Sequence, residues 1–185
     1  MAEQKYSINH YDWVGNGYEP KAEFSLSVEE NGFHMHIEVW ETDPLREKTE
    51  HFQPVHHDSC VEWFVMFAPS ICDRYFNFEI NANGCINFSF RKDRYDSIQT
   101  TVEDAESLNI KTATQAQSWE VDYLVPFDLI KKYIPEYEYF EGMSILSNFY
   151  KCGDKTAYPH YGMWNKVDTS KPDFHRPDYF KEIIV

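Results

Sequence analysis

The sequence has no apolar run that approaches the roughly 18 residues of a membrane-spanning helix. Its first residues also lack the basic start and the apolar stretch that mark a secretory signal. We therefore expect no membrane partner, and a cytoplasmic location for the chain as written. An extracellular location is the alternative if a signal has been removed.

Basic residues are scarce, since 17 Lys and Arg stand against 31 Asp and Glu and the formal net charge is -14. Proteins that bind nucleic acid neutralise phosphates with Lys and Arg, which this chain has in short supply. An acidic chain would also be repelled by anionic lipid surfaces. We therefore expect no nucleic-acid partner, whereas a neutral ligand such as a sugar is compatible with this charge.

The four cysteines, Cys60, Cys72, Cys85 and Cys152, show no C-x-x-C spacing, so a zinc knuckle is not expected. Their number permits two disulfides. In a protein that is not secreted, however, such cysteines are usually reduced.

Aromatic residues, in contrast, make up 17% of the 185 residues, and strands favour such side chains. Many short segments alternate apolar and polar residues, which is the period of a strand. The segment after Pro126 differs and predicts one short helix at Phe127–Tyr133. We predict a single domain over residues 1–185 with an all-β fold, an antiparallel β-sandwich or jelly roll. The pattern alone leaves a β-barrel as the alternative, and the resemblance described below favours the sandwich.

Three segments have weaker signals. The Asn31-Gly32 pair predicts a type I′ turn between two strands, because this pair tolerates the backbone that the turn requires. Residues 95–106 are polar and are predicted to form an edge strand or a loop. Residues 1–21 are interrupted by glycine and proline and predict an irregular lead-in.

Residues 60–67 and 74–81 predict two central strands, whose successive side chains face opposite sides of the sheet. One of these sides is apolar and the other is polar. The polar side mixes carboxylates, amides and aromatic rings, where a solvent-exposed face would carry Lys, Thr and Ser. We therefore predict that it forms the floor of a pocket. One face is apolar and predicts the core: Val61, Trp63, Val65, Phe67, Phe76, Phe78 and Ile80. The polar face carries Glu62, Phe64, Met66, Tyr75, Asn77, Glu79 and Asn81.

The segment Asp58-Ser59-Cys60-Val61-Glu62 resembles the D-S-V-E signature of family 9 carbohydrate-binding modules. The resemblance implies a β-sandwich that binds a neutral mono- or oligosaccharide without catalysis. It also implies an association with carbohydrate catabolism and with polysaccharide-degrading enzymes. Further similar segments follow in the same order at residues 75–84, 119–127, 147–151, Trp164 and 172–180.

The resemblance also implies roles for particular residues. In the family, the glutamate of the signature hydrogen-bonds the sugar, which assigns that role to Glu62. Trp164 matches one of the two rings that hold the sugar, and His56 stands at the place of the other. Trp40, Tyr150 and Tyr161 are the alternative suppliers of that second ring. Glu79 stands where better-known members carry arginine. The predicted sugar-binding residues are Trp164, Glu62, Glu79, His56, Asn81, Asn148 and Tyr150.

Glu62 and Glu79 are predicted to lie opposite each other, with Cβ atoms about 5 Å apart. Two carboxylates this close repel each other unless a group lies between them. They are therefore either acceptors for sugar hydroxyls, or a pair neutralised by Arg91 or Lys151. They would also match the spacing of a retaining glycoside hydrolase, which is the first alternative function.

The second alternative is a haem-binding sandwich, with ligands from Met35, Met66, His34 and His36. The resemblance also implies structural calcium, and the candidate ligands for it are Asp43, Asp58 and Asp173. His56 and His57 make a weak transition-metal site, because adjacent side chains of a strand point to opposite sides.

Overall fold

The computed structural model describes residues 3–185. Alternating short segments of the sequence form strands, which we number in chain order. They are β1 (Gln4–Ser7), β2 (Ala22–Glu29), β3 (Gly32–Val39), β4 (Cys60–Met66), β5 (Tyr75–Asn81), β6 (Ile86–Arg91), β7 (Ser97–Gln99), β8 (Lys111–Thr114), β9 (Trp119–Pro126), β10 (Ser144–Cys152), β11 (Tyr161–Met163) and β12 (Lys181–Ile184).

The strands form two sheets in which all neighbours are antiparallel. The first sheet has the order β1-β2-β3-β9-β8, and the second has the order β11-β10-β4-β5-β6-β7. Strand β12 pairs with the first half of β10, whereas β11 pairs with its last residues. The prediction of an antiparallel β-sandwich is confirmed.

The two sheets enclose the main apolar core, as strand alternation predicts. Every residue of the predicted apolar face is buried there, together with Val121 and Tyr123 of β9. The indole nitrogen of Trp63 is satisfied inside the core, where it donates to Ser147 Oγ at 2.8 Å. From the first sheet, Phe33 stacks on Phe67 with ring centroids 5.0 Å apart.

Among the described residues there are two short α-helices, α1 (Val102–Ser107) and α2 (Phe127–Tyr133). Helix α2 is confirmed. The segment 95–106 contains the edge strand β7, as predicted, but its last residues begin helix α1, which was not predicted. Helix α1 begins with a capping box, in which Thr101 and Asp104 each satisfy the other's backbone N–H. Neither helix combines the length and the apolar character that crossing a membrane would require.

The hairpin between β2 and β3 turns at Glu30 and Asn31, one residue earlier than predicted. Gly32 is already paired with Glu29, and neither turn residue has the positive φ of a type I′ turn. Gly32 is needed for a different reason, because a Cβ there would lie 2.4 Å from the carbonyl oxygen of Val125. The glycine therefore permits the close approach of β3 and β9.

The outer face of the second sheet is largely covered by the chain between β11 and β12, residues 164–180, which we call the C-terminal strap. Phe174 of the strap stacks on Tyr150 with centroids 4.1 Å apart, and Phe180 packs edge-on against Tyr75 at 5.3 Å. This second apolar cluster contains Phe64 and Tyr75 of the predicted pocket floor, and Met66 packs against it. It leaves the part around Glu62 and Glu79 open.

Candidate functional site

An open pocket of about 280 Å³ lies on the outer face of the second sheet. Its floor comes from β4, β5 and β6, and one wall comes from the C-terminal strap. The turn at Val55–His57 and the chain around β11 supply the rest. The lining residues are His56, Glu62, Glu79, Asn87, Arg91, Arg94, Cys152, Asp154, Tyr161, Pro172, Asp173, Phe174 and His175.

Glu62 and Glu79 form the centre of the floor. They are direct cross-strand partners, as predicted. Their exposed fractions are only 4% and 5%, so both carboxyl groups are largely removed from water. Burial raises the pKa of each above the ordinary glutamate value, and more so for Glu62.

The two glutamates differ in their partners. Glu79 accepts hydrogen bonds from the amides of Asn77, at 2.7 Å, and Asn87, at 3.1 Å. These amides, together with His56 and Arg91, partly offset the effect of burial on the pKa of Glu79.

Glu62 has no comparable support. Its Oε1 accepts from the thiol of Cys152 at 3.0 Å. After burial, the nearby Cys152 and Glu79 raise its pKa further. Of the two carboxyl groups, Glu62 therefore favours the protonated form more strongly. A carboxylate accepts hydrogen bonds and a protonated carboxyl group also donates one, so the pair can serve a ligand in both ways.

Aromatic side chains form the wall next to this floor. Phe174 is held by its stack on Tyr150, and Tyr161 stands beside it with ring centroids 6.3 Å apart. His175 packs against Phe64 at 5.0 Å, and its Nδ1 lies 2.9 Å from the hydroxyl of Tyr75. Burial, with Arg91 and Arg94 nearby, lowers the pKa of His175 to about 3. The wall is therefore aromatic and uncharged.

The rim carries charged groups that pair with each other. Arg94 donates to Asp173 Oδ1 at 2.6 Å, and Arg91 Nε donates to Asn77 Oδ1 at 3.0 Å. Arg91 does not contact the glutamates as a neutralising partner would, although it lies close enough to lower the pKa of Glu79. The rim thus leaves Glu79 available to a ligand.

The structure separates Trp164 from this pocket. Its backbone N–H donates to Phe149 O at 2.9 Å, and its ring packs against Phe149 and Tyr6, with centroids 5.5 and 4.9 Å apart. Phe149 belongs to the core between the sheets. The ring of Trp164 therefore lies on the core side of the second sheet, and Glu62 lies on the other side.

Three other predicted residues do not line the pocket and instead contact other parts of the protein. Asn81 is bonded on both sides: its amide donates to Asp58 Oδ2, and its Oδ1 accepts from Cys85 N. Asn148 is likewise bonded on both sides: its amide donates to Asn165 O, and its Oδ1 accepts from Asn165 N. Tyr150 is buried beneath the strap, where it stacks on Phe174. Of the seven predicted residues, Glu62, Glu79 and His56 line the pocket.

The polar residues of the segment 58–62 contact different parts of the protein. Asp58 Oδ2 accepts from Lys48 N at 2.8 Å, and Ser59 Oγ accepts from Leu45 N at 3.0 Å. Both therefore fasten the long loop before β4. Glu62 alone among them faces the pocket.

Lys151, one of the two residues predicted to neutralise the glutamates, is buried. Its Nζ donates to His160 Nε2 at 2.7 Å and lies 3.3 Å from Glu41 Oε2. Burial and the neighbouring lysine lower the pKa of His160 to about 4, so this imidazole is neutral and accepts. Lys151 does not line the pocket and does not neutralise its glutamates.

The candidate calcium ligands do not come together. Asp58 is buried against Lys48 and Asn81, Asp173 pairs with Arg94, and Asp43 lines a separate cavity. Calcium takes six to eight oxygens, and these three carboxylates share no centre that could supply them. The structure therefore offers no calcium site built from these three residues.

The candidate haem ligands are also dispersed. Met35 is buried between the sheets, whereas His34 and His36 point outward from the same strand. Met66 packs with the apolar cluster on the outer face of the second sheet. These side chains cannot hold one haem iron from two sides.

The two carboxyl groups of the glutamate pair project from neighbouring strands on one face of the sheet, so both reach the same ligand.

Sequence patterns could have revealed some of the lining residues that were not predicted. Asn87 and Arg91 alternate with buried residues on β6, so they share the outer face with Glu79. Phe174 and His175 carry no such signal. His175 meets Tyr75 across 100 residues of sequence.

Comparisons with known proteins agree with this architecture. A candidate carbohydrate-binding protein from Bacteroides uniformis ATCC 8492 is similar, with a TM-score of 0.85 and 24% identity over 98% of this chain and 85% of that chain. A family 9 carbohydrate-binding module from Caldicellulosiruptor kristjanssonii, in complex with cellotriose, has a TM-score of 0.66 and 12% identity, covering 98% of this chain and 81% of that chain. The glucose complex gives 0.67 and 12%, over 98% and 83%. At these identities the likeness shows the fold.

A search of curated proteins found no match. The family described as "Carbohydrate-binding family 9" matches residues 2–185. This match spans nearly the whole chain and agrees with the signature around Glu62. The chain therefore belongs to carbohydrate-binding family 9, and its function is the non-catalytic binding of a saccharide.

Proposed function

We propose that the pocket above Glu62 and Glu79 binds a neutral mono- or disaccharide. The observation that carries the proposal is the position of this buried carboxyl pair directly beside the aromatic wall of Tyr161 and Phe174. Sugars combine hydroxyl groups with apolar C–H faces, so they need both kinds of surface. A cavity of about 280 Å³ lies at the small end of ligand pockets and suits one or two rings.

The hydroxyl groups face the floor. Glu79 accepts with a charged oxygen, Glu62 donates its proton, and Asn87 lies within the same lining. The sugar's C–H face packs on Tyr161 and Phe174. Tyr161 thus takes the stacking role that the resemblance suggested for Trp164.

An association with polysaccharide-degrading enzymes is part of the proposal. A single pocket of this size gives a weak affinity, and attachment to an enzyme on the same polysaccharide would raise the effective concentration. Co-sedimentation with insoluble polysaccharide, in the presence and absence of such an enzyme, tests this part separately.

The test of the pocket is calorimetry with glucose and cellotriose, the ligands of the similar family 9 structures, followed by a glycan array. We expect Tyr161→Ala to weaken binding at least about tenfold, which is about 1.4 kcal/mol. Trp164→Ala is the matched control, because it removes a larger ring from outside the pocket. If Trp164→Ala abolishes binding in a folded protein and Tyr161→Ala does not, the pocket is wrongly assigned.

A further inference from the structure

Two adjacent histidines and an aspartate converge beside the pocket. A ring nitrogen of His56, a ring nitrogen of His57 and a carboxylate oxygen of Asp154 all lie within 4.8 Å of one another. The three side chains are half-buried, so ions can reach them from solvent. The prediction that the adjacent histidines diverge is wrong, because Val55–His57 forms a 3-10 turn and not a strand. In this turn the two rings are 4.7 Å apart.

Backbone hydrogen bonds hold the two segments that carry these ligands. Asp154 N donates to His56 O at 3.0 Å, and Lys155 N donates to His57 O at 2.9 Å. The chain after β10 is therefore clamped to the turn before β4. These backbone hydrogen bonds fix the two segments relative to each other, and the side chains adjust by rotation about their own bonds.

Two imidazoles and one carboxylate are the ligand set that zinc and similar divalent transition metals prefer. Bonds of 2.0–2.2 Å in a tetrahedral site place ligand atoms roughly 3.4 Å apart. Since the present ligand atoms lie within 4.8 Å of one another, the group has to contract by up to about 1.4 Å, which half-buried side chains can do by rotation about their own bonds. We propose that His56, His57 and Asp154 bind one divalent transition-metal ion of the zinc class.

The surroundings support a cation at this position. Glu79 Oε2 lies 3.9 Å from His56 Nδ1, so a carboxyl group stands beside the ligating imidazole and favours a cation there. The net charge of -14 adds a long-range attraction for cations. Since His56 and Asp154 also line the pocket, the ion borders the saccharide site. The proposal itself does not depend on the saccharide.

One other group of the described residues competes for the same class of ion. Ligand atoms of Cys60, Glu62 and Cys152 also lie within 4.8 Å of one another, but all three residues are buried. Metal binding there would require thiolates inside the second apolar cluster, which burial opposes. Cobalt distinguishes the two groups, because thiolate ligands give it an intense charge-transfer absorption that imidazole and carboxylate ligands do not.

The test is titration of the reduced protein with Zn²⁺ by calorimetry and with Co²⁺ by absorption. We expect one ion per chain, without thiolate charge transfer. His57→Asn and Asp154→Asn should each weaken binding at least about tenfold. His34→Asn is the control, because His34 pairs with Asp122 at 2.9 Å on the surface of the other sheet. This substitution should leave the metal affinity unchanged.

Three results would overturn the proposal: no binding of either ion, equal binding by His57→Asn and the parent protein, or a thiolate band that disappears in Cys152→Ser. Thermal unfolding of each variant shows whether it is folded. His57 does not line the pocket, so His57→Asn should keep its saccharide affinity in the absence of metal. Failure of the metal site is thereby distinguishable from failure of the saccharide site.

Discussion

The thiol of Cys152 donates to a carboxyl oxygen of Glu62 at 3.0 Å. Glu79, the cross-strand partner of Glu62, instead accepts hydrogen bonds from the amides of Asn77 and Asn87. This unequal support raises the pKa of Glu62 more than that of Glu79. A ligand in the pocket therefore meets two carboxyl groups that differ in how readily they hold a proton.

The first prediction concerns saccharide affinity. Glu79→Gln should weaken binding by about 1.5–3 kcal/mol, because a charged acceptor is lost. Glu62→Gln should weaken it less, since glutamine keeps one donor and one acceptor at nearly the same place. Calorimetry of both variants with the same sugar measures the difference. A larger loss in Glu62→Gln would show that the charge lies on Glu62.

The second prediction concerns stability against pH. The folded-state pKa of Glu62 is raised above the ordinary value of 4.5, so the folded state holds a proton that the unfolded state releases as the pH rises. Its contribution is therefore present at low pH and is lost as the pH increases above 4.5. In Glu62→Gln this decline should be smaller. Urea unfolding at a series of pH values tests it, and an unchanged slope would contradict the assignment.

The third prediction concerns the buried ion pair of Lys151 and Glu41. Glu41 also accepts from Trp119 Nε1 at 2.9 Å and from Ser59 Oγ at 3.0 Å. Lys151→Met leaves this carboxylate buried without its cation and should cost about 3–5 kcal/mol. Adding Glu41→Gln should recover part of the loss. Chemical unfolding of the single and double variants is the measurement, and additive losses would mean that the two groups do not interact.

The fourth prediction concerns the core. Trp63→Ala should cost about 3–5 kcal/mol, since it removes a fully buried ring and leaves Ser147 Oγ without its donor. Tyr95→Ala is the control, because Tyr95 is 91% exposed and should change stability by less than about 0.5 kcal/mol. Equal effects of the two substitutions on urea unfolding would remove Trp63 from the core.

Strand alternation was sufficient to predict an all-β fold and the opposition of Glu62 and Glu79, whereas the family resemblance was needed to favour a sandwich over a barrel. Both follow from local pattern, since a period of two determines which side chains share a face. Helix α1 also had a local signal, the capping box of Thr101 and Asp104, within a segment too polar to suggest a helix.

The placement of Trp164 could not be predicted in this way. Its side depends on how β11 joins the edge of β10, where Tyr150 pairs with Met163. The next residue then faces the core. Family likeness indicated a ring near this position, but Tyr161 is the ring that reaches the pocket. Likewise, only the 3-10 turn at Val55–His57 brings the two histidines together.

The C-terminal strap has a consequence for the order in which the protein becomes functional during synthesis. The pocket floor is complete in sequence once β6 has been made, yet Phe174 and His175 follow more than 80 residues later. A ribosome adds roughly 5–20 residues per second, so the floor exists for several seconds before its wall. During that interval Phe64 and Tyr75 lack their cover. The aromatic side chains of the floor therefore gain their cover only when the last part of the chain has been made.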